Sequence, residues 1–505
     1  DWLERIRTRA DGAPGTGMGP DGTCWVSREP YDPRTAAWVL DRMMEEYPNI
    51  TVLKMTVVKK VTAEEVADSH GAGRRITGLT LIQRIPQPGY VPFTKFLSRE
   101  LADWYDPKDS SDFRKEVHTV RARDEGRGLV VIDASETADV IVLSGAVYTV
   151  GREKTTEEIG PDGTLPEYDE TGSQATVYPF CMTDSPTTDP EHELKEPWPG
   201  FDDYFARQEQ SYFGLGRHTW TSVWTYRRLK LGGPAGPDAV NRGDVSMQNW
   251  YPGNDYPYGS IYLSRAQAAA EASDWRGGLN LHHLAEAEKH AVAWYFWMKK
   301  NRPTAWDTRL LRGSDALNMM GTSHGLSKFP YIRCGRRIVG LQNFRIMERD
   351  LVDTQSPDYT TGTTSRRYHD SVGIGAYACD VHAIHDSEGL SPAFERPAPF
   401  YIPYRALGSV NVRNLLAGGK TMATAYITNS AYRLHPIEWA AGSAAGTAAA
   451  LMARDARSNM DLLEPVALRE LQRAVAKNSP ISWAVWDEEP FLDDANTTVG
   501  HSAKE

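Results

Sequence analysis

From Pro33 to Tyr47 apolar side chains fall three and four residues apart behind a proline suited to a first helical turn, which predicts a helix over 33–47. Beyond Pro48-Asn49 the run Ile50-Thr-Val-Leu-Lys-Met-Thr-Val-Val58 is short and rich in β-branched residues, and it predicts a strand. An acidic hinge, a second strand near 75–81 and a connection rich in proline and charge are expected up to about residue 120. Gly128-Leu-Val-Val-Ile-Asp133 is almost wholly apolar, as a strand buried on both faces of a parallel sheet must be. The polar residues that follow, Ala134 to Asp139, are suited to capping a helix.

Between about 150 and 330 the pattern changes. Trp, Tyr, Pro and Gly crowd together, as in Gln248-Asn-Trp-Tyr-Pro-Gly-Asn-Asp-Tyr256, and one long helix is expected over 279–300. From about 368 short apolar strands alternate with glycine again and lead into a small-residue helix over 437–453. The reading is an α/β fold in which 1–150 and 366–460 build one discontinuous domain, 151–365 forms a mixed α+β substrate or cap domain, and 461–505 is a C-terminal extension.

At 505 residues, with 40% hydrophobic and 24% charged positions, the chain can bury a large core. Its net charge of −11 argues against nucleic acid as a partner, because phosphate binding needs clustered Lys and Arg. Cys24, Cys181, Cys334 and Cys379 stand far apart without a Cys-x-x-Cys pair, so they are read as reduced or incidental, with one disulfide left open. No stretch approaches the roughly 20 apolar residues that cross a bilayer, and residues 1–30 hold no basic segment followed by an apolar run. No membrane partner is expected.

Chemistry concentrates in Asn414-Leu-Leu-Ala-Gly-Gly-Lys420 and in the stretch from Thr428 to Gly446. A strand ending in Gly418-Gly419 leaves its backbone open to close approach. Pro436 stands where a helix should begin, and Gly442, Ala444, Ala445 and Gly446 give that helix a slim face. Its amino terminus would then aim partial positive charge above the glycine strand, where an electron-rich ligand such as a reduced flavin would gain.

These two stretches resemble the carboxy-terminal flavin motif of FAD-dependent oxidoreductases of the glutathione-reductase-like superfamily. The resemblance extends to Val130 to Asp139, to Lys328-Phe-Pro-Tyr-Ile-Arg-Cys-Gly-Arg-Arg-Ile338 and to Asp370 to His382, in the family's order and across most of residues 30–455. It implies a glutathione-reductase-type fold, FAD as cofactor, and flavin-mediated removal of a hydride from a small organic substrate, with oxygen or another acceptor taking the electrons. That family opens on a strand, Gly-x-Gly-x-x-Gly and a helix. No such unit is found here, and Gly232-Gly-Pro-Ala-Gly236 runs into Pro237 without a suitable strand before it. The expectation is a further segment, on the order of 100 residues by the usual size of a βαβ unit with its connections, either cleaved off or carried by a companion polypeptide. An oligomer is expected.

On this resemblance Val57, Val58, Ala134, Ser135 and Glu136 would surround the adenosine, Gly418 and Gly419 would approach the ribityl-pyrophosphate, and Leu434, His435 and Pro436 would lie beside the isoalloxazine. His435 is the first choice for proton transfer or charge stabilisation, against a reading as a residue that only orients the turn. Arg433 suits an acidic substrate or the flavin O2, against a salt bridge to Glu438 or Asp380. For the substrate the candidates are Trp250, Asn254, Asp255 and Tyr256, with Tyr251 and Tyr258 in the same aromatic segment, and Arg336 of the trio Arg333, Arg336 and Arg337, whose plainer reading is a solvated strand. Asp380, His382 and His385, and His282, His283, Glu286 and His290, have spacings that admit a metal but match no named zinc pattern; structure or surface is the preferred reading of both, and no metal is assigned. The rival functions are a flavin-free binding or scaffold protein of the same fold and a metal-dependent hydrolase.

Overall fold

The computed structural model describes residues 2–8, 30–91, 93–122, 128–153, 168–185, 201, 203, 205, 219–234, 239–249, 253–351, 365–382, 397 and 399–478. Helix α1 (Trp2–Thr8) packs on α2 (Pro33–Glu45), and Asp32 caps α2 by accepting from the Arg34 backbone N–H. The next element differs from expectation. Residues 50–55 are not strand, because Met55 takes a left-handed φ of 55° that interrupts extended backbone. Strand β1 (Thr56–Asp68) instead runs through the supposed acidic hinge and pairs antiparallel with β2 (Gly71–Pro86). Glu64 and Glu65 stand opposite Arg75 and Arg74 across that ladder, so cross-strand charge pairing lets an acidic stretch persist as strand.

Helix α3 (Leu97–Trp104) follows, and β3 (Phe113–Arg121) completes a three-stranded sheet in the order β1-β2-β3. Strand β4 (Val131–Asp133) is shorter than the apolar run around it, and α4 (Asp139–Leu143) comes after a turn. The polar residues of that turn do not cap α4, whose preceding residue Ala138 is left-handed at φ 57°. Asp133 takes their place: its carboxylate accepts from the backbone N–H groups of Ser135 and Ile141, both at 3.0 Å.

Along the middle of the chain lie β5 (Tyr148–Thr149), β6 (Thr176–Val177), β7 (Phe180–Asp184), α5 (Trp220–Tyr226), β8 (Arg228–Lys230), β9 (Val245–Gln248), β10 (Asp255–Tyr256), α6 (Arg265–Glu271), α7 (Leu281–Lys300) and β11 (Thr308–Leu310). They form an antiparallel sheet in the order β11-β7-β9-β8 and a small β10-β6 pair, covered by α7. Helix α7 matches the helix expected over 279–300; Asn280 starts it by accepting from the N–H groups of His282 and His283. The chain closes with β12 (Arg337–Ile338), β13 (Ser371–Gly375), β14 (Phe400–Pro403), β15 (Leu415–Ala417), α8 (Tyr426–Tyr432), α9 (His435–Asp455) and α10 (Pro465–Asn478).

Two hydrophobic cores organise these mixed helices and strands, as an α/β fold requires. The first gathers Ile76, Val131, Ile141, Cys334, Ile338, Leu415, Leu416, Ala444 and Leu471, and so joins both ends of the chain. Its α10 side chains Leu468, Leu471 and Val475 bring 465–478 into this core. The second gathers Leu101, Tyr178, Trp224, Trp275, Trp294 and Ile332 from the middle. Cys181, Cys334 and Cys379 are buried, while Cys24 lies outside the described residues. No helix of the described residues is long and apolar enough to cross a membrane.

Candidate functional site

Strands β4 and β15 run parallel, with Leu415, Leu416 and Ala417 beside Val131, Ile132 and Asp133. Their carboxyl ends therefore emerge together, as the turn 134–138 and the strand end 418–421. Asp133 ties the two: its carbonyl accepts from the Gly418 N–H at 2.9 Å and from the Thr421 hydroxyl at 3.2 Å. Helix α9 lies across them, close enough that a side chain at Gly442 would stand 3.1 Å from the Gly418 carbonyl. Glu438, in the first turn of α9, accepts from the Lys420 backbone N–H at 2.9 Å. The buried Lys420 side chain donates to the Ile332 carbonyl at 2.6 Å and forms an ion pair with Glu136. Burial, and after it the charge of Glu136, hold the Glu438 carboxyl above its ordinary range despite Lys420.

The glycines act differently from the sequence reading. A side chain at Gly418 would meet Ile132 at 2.7 Å and Ala134 at 3.0 Å, and one at Gly419 would meet the Glu438 carboxylate at 3.2 Å. Their missing side chains thus let the protein's own turn, strand and helix close on one another. Val57 and Val58 lie on β1, the strand that packs beside α4, with Val57 turned to the second core and Val58 to the first. Ser135 and Ala134 sit on the Asp133 turn, and the Glu136 carbonyl accepts from the Tyr262 hydroxyl at 2.6 Å.

Arg433 closes α8 and is buried. It donates to the Tyr331 hydroxyl at 2.7 Å and to Asp380 at 3.0 Å and 3.1 Å, so of the two salt bridges considered it makes the one to Asp380. Among the described residues its buried Nε has no hydrogen-bond partner, and neither has the Asn429 Oδ1 on α8. Leu434 is half-buried, whereas His435 and Pro436 are exposed at the start of α9. Asp380 contacts His382, and His382 contacts Asp255, which in turn accepts from Arg333.

The residues expected at a substrate are dispersed. Asn254 is fully buried and donates to the carbonyls of Tyr178 and Gln248, which makes it a brace between strands. Tyr256 is buried with its hydroxyl 3.0 Å from His283 Nδ1. Trp250, Tyr251 and His385 lie outside the described residues. The arginine trio is not a solvated strand: Arg333, Arg336 and Arg337 are all buried. Arg336 donates to the carbonyls of Thr137 and Gly278, and Arg337 to Thr424, Gly151 and Glu153. His290 Nε2 donates to the Gly253 carbonyl at 2.9 Å deep in the second core, and burial lowers its pKa to about 4. Among the described residues no three of His, Cys, Asp and Glu converge as a metal would need. Reading the sequence missed Asp133, Lys420, Tyr331 and Tyr377 as site members; the one available signal was their place inside the motif stretches.

A protein-family model described as FAD dependent oxidoreductase matches residues 107–475, which include β4, β15, α8 and α9. No curated protein and no solved structure matches the chain.

Proposed function

Because the chain belongs to the FAD dependent oxidoreductase family, we propose that it removes a hydride from a small organic substrate and passes the electrons to oxygen or another acceptor. FAD, when bound, supplies the two-electron acceptor. The observation that carries this reading is the parallel β4–β15 pair under α9, which opens two strand ends and a helix start toward one place. Ligands of α/β sheets bind beyond the carboxyl ends of parallel strands, and a helix amino terminus favours negative charge there. The donors fit such a cofactor: among the described residues the buried Arg433 Nε has no hydrogen-bond partner, and Lys420, held by Ile332 and Glu136, lies over the same Tyr331 ring as Arg433.

In this proposal the fold is of glutathione-reductase type, with the FAD-binding part made of discontinuous pieces around the first core and the substrate part built on the second. Val57, Val58, Ala134, Ser135 and Glu136 serve the adenosine side. The backbone at Gly418 and Gly419, with Leu434 and Pro436, serves the ribityl and ring side. His435 steadies charge beside the ring, and Arg433 orients. A companion segment bearing the glycine fingerprint belongs to the proposal too, since among the described residues β4 has a neighbour on one edge and a further parallel strand can add to the other.

The absorption spectrum of the purified protein, taken before and after denaturation, tests this reading. Flavin bands, or their appearance when FAD is titrated in, are expected, and His435→Ala should keep them while lowering turnover. A colourless protein that takes up no FAD would refute the proposal.

A further inference from the structure

A carboxylate, an imidazole and a second carboxylate stand in a row at the junction of the two cores. Asp255, fully buried, accepts from Arg333 at 3.0 Å and faces His382 Nδ1 at 2.7 Å. His382 Nε2 lies 3.2 Å from Asp380 Oδ2, and the His382 backbone N–H donates to Gln174 at 3.2 Å. Asp380 also accepts from the Tyr377 hydroxyl and from Arg433. Accessibility rises along the row, with side-chain exposures of 0%, 18% and 43% for Asp255, His382 and Asp380.

A buried carboxylate paired with an arginine stays ionised, and it fixes the proton of a neighbouring imidazole on the nitrogen it faces. The other nitrogen, Nε2, then points to the accessible end. There a neutral ring and the Asp380 carboxylate would set two acceptors face to face. The row is satisfied by a second proton on the ring or by a hydroxyl that donates between them. Two arginines balance the two carboxylates, so the ring changes charge without leaving the row far from neutral.

We propose that His382 is the proton acceptor for the substrate half-reaction, that Asp255 is its positioning residue, and that the substrate is a hydroxyl compound whose O–H reaches Nε2 beside Asp380. The inference rests on the FAD reading above. The hydroxyl proton goes to Nε2, the neighbouring C–H hydrogen leaves as hydride to oxidised FAD, and the C–O bond becomes C=O. Arg433, which holds Asp380, stands two residues before the start of α9, so the row abuts the proposed cofactor side.

The charged and titratable groups facing the ring are Asp255 from β10, Asp380 and Tyr377 from the stretch after β13, Arg333 and Tyr331 from the segment before β12, and Arg433 from the end of α8. Tyr226 and Arg227 at the end of α5 complete the surroundings. Burial raises both carboxyls, but Arg333 and His382 hold Asp255 below its ordinary range, and His382 and Arg433 hold Asp380 well below.

Two readouts on the full chain loaded with FAD test the proposal. Nitrogen-15 histidine NMR, with His382→Gln to identify the signal, should show a neutral ring that carries its proton on Nδ1, and Asp255→Asn should move that proton toward Nε2. Should Asp255→Asn fail to fold, the Nε2 signal should shift in the more exposed Asp380→Asn, whose amide can donate to that nitrogen. A neutral ring protonated on Nε2, or one whose signals ignore both substitutions, overturns the row, whether or not flavin binds. Anaerobic mixing with glycerol, D-glucose and benzyl alcohol reads the flavin absorbance. At least one probe should bleach it, at a rate that drops about 100-fold in His382→Gln with flavin retained. Undiminished bleaching in His382→Gln overturns the proton-acceptor role, and no bleaching by any probe overturns the hydroxyl substrate. A protein that binds no FAD yet keeps an Asp255-dependent ring refutes the flavin reading while supporting the row.

Discussion

Asp139 lies wholly inside the protein at the start of α4, where the Tyr105 hydroxyl and the Trp275 indole N–H donate to its carboxylate at 2.9 Å and 3.0 Å. These neutral donors, with the Thr137 side chain, do not replace the lost water, and Asp133 adds a like charge. Burial first, and Asp133 second, push the Asp139 carboxyl from 3.8 up to about 7. A carboxyl with a folded pKa above its unfolded one binds its proton more tightly in the fold, so its contribution to stability is present at acid pH and declines as pH rises from about 4 to about 7. Asp139→Asn keeps an acceptor for Trp275 and removes that titration. Urea unfolding at about pH 5 and about pH 8 should show the variant gaining on the wild type by a few kcal/mol at the higher pH; parallel curves would rule out the buried titration. This strain was not legible in the sequence, where Asp139 looked like a helix-capping residue. Nor was the Asp255–His382 contact, because 127 residues separate the two and spacing rules reach only neighbours within one element. The Arg433–Asp380 pair was within reach of sequence reasoning, since it needed only two charged motif residues of opposite sign.

Elements with a strong period were the easiest to foresee. Helices α2, α7 and α9 fall within two residues of their expected positions at every end, because local spacing, Asn280 and Pro436 mark them. The meander β1-β2-β3 was read poorly, since its acidic stretch is extended only by virtue of arginines on the partner strand. The same distinction between local and tertiary causes separates two glycines that the sequence treated alike. Gly418 faces Ile132 and Ala134 at contact distances a side chain cannot share, whereas a side chain at Gly446 would meet nothing within 4 Å beyond its own helix. Gly418→Ala should therefore destabilise by about 1–3 kcal/mol through overpacking and weaken FAD retention along with it. Gly446→Ala should stabilise by about 0.5–1 kcal/mol, because alanine loses less backbone freedom in a helix. Thermal unfolding of both variants decides the matter, and equal effects would show that Gly418 does not pack against Ile132 and Ala134 as described.

At the scale of the whole molecule the two cores meet along a polar seam rather than an apolar one. Ile332 belongs to the second core and Cys334 to the first, so the chain crosses the seam within three residues. Lys420 reaches across to the Ile332 carbonyl, Asp139 to Trp275, and Arg433 to Tyr331. Arg336 is the seam's central clamp. The buried guanidinium donates to Thr137 in the turn after β4 at 2.8 Å and to Gly278 at 2.6 Å, and it lies over the rings of Tyr262 and Trp275. Arg336→Met keeps much of the stem but leaves those carbonyls buried without donors, which should cost about 3 kcal/mol or more. Since Thr137 shares its turn with Glu136, the same change should loosen the cofactor side, and flavin fluorescence should appear below the temperature at which the protein unfolds. Coincident flavin release and unfolding in Arg336→Met, as in the wild type, would show that the clamp supports the fold without shaping the site.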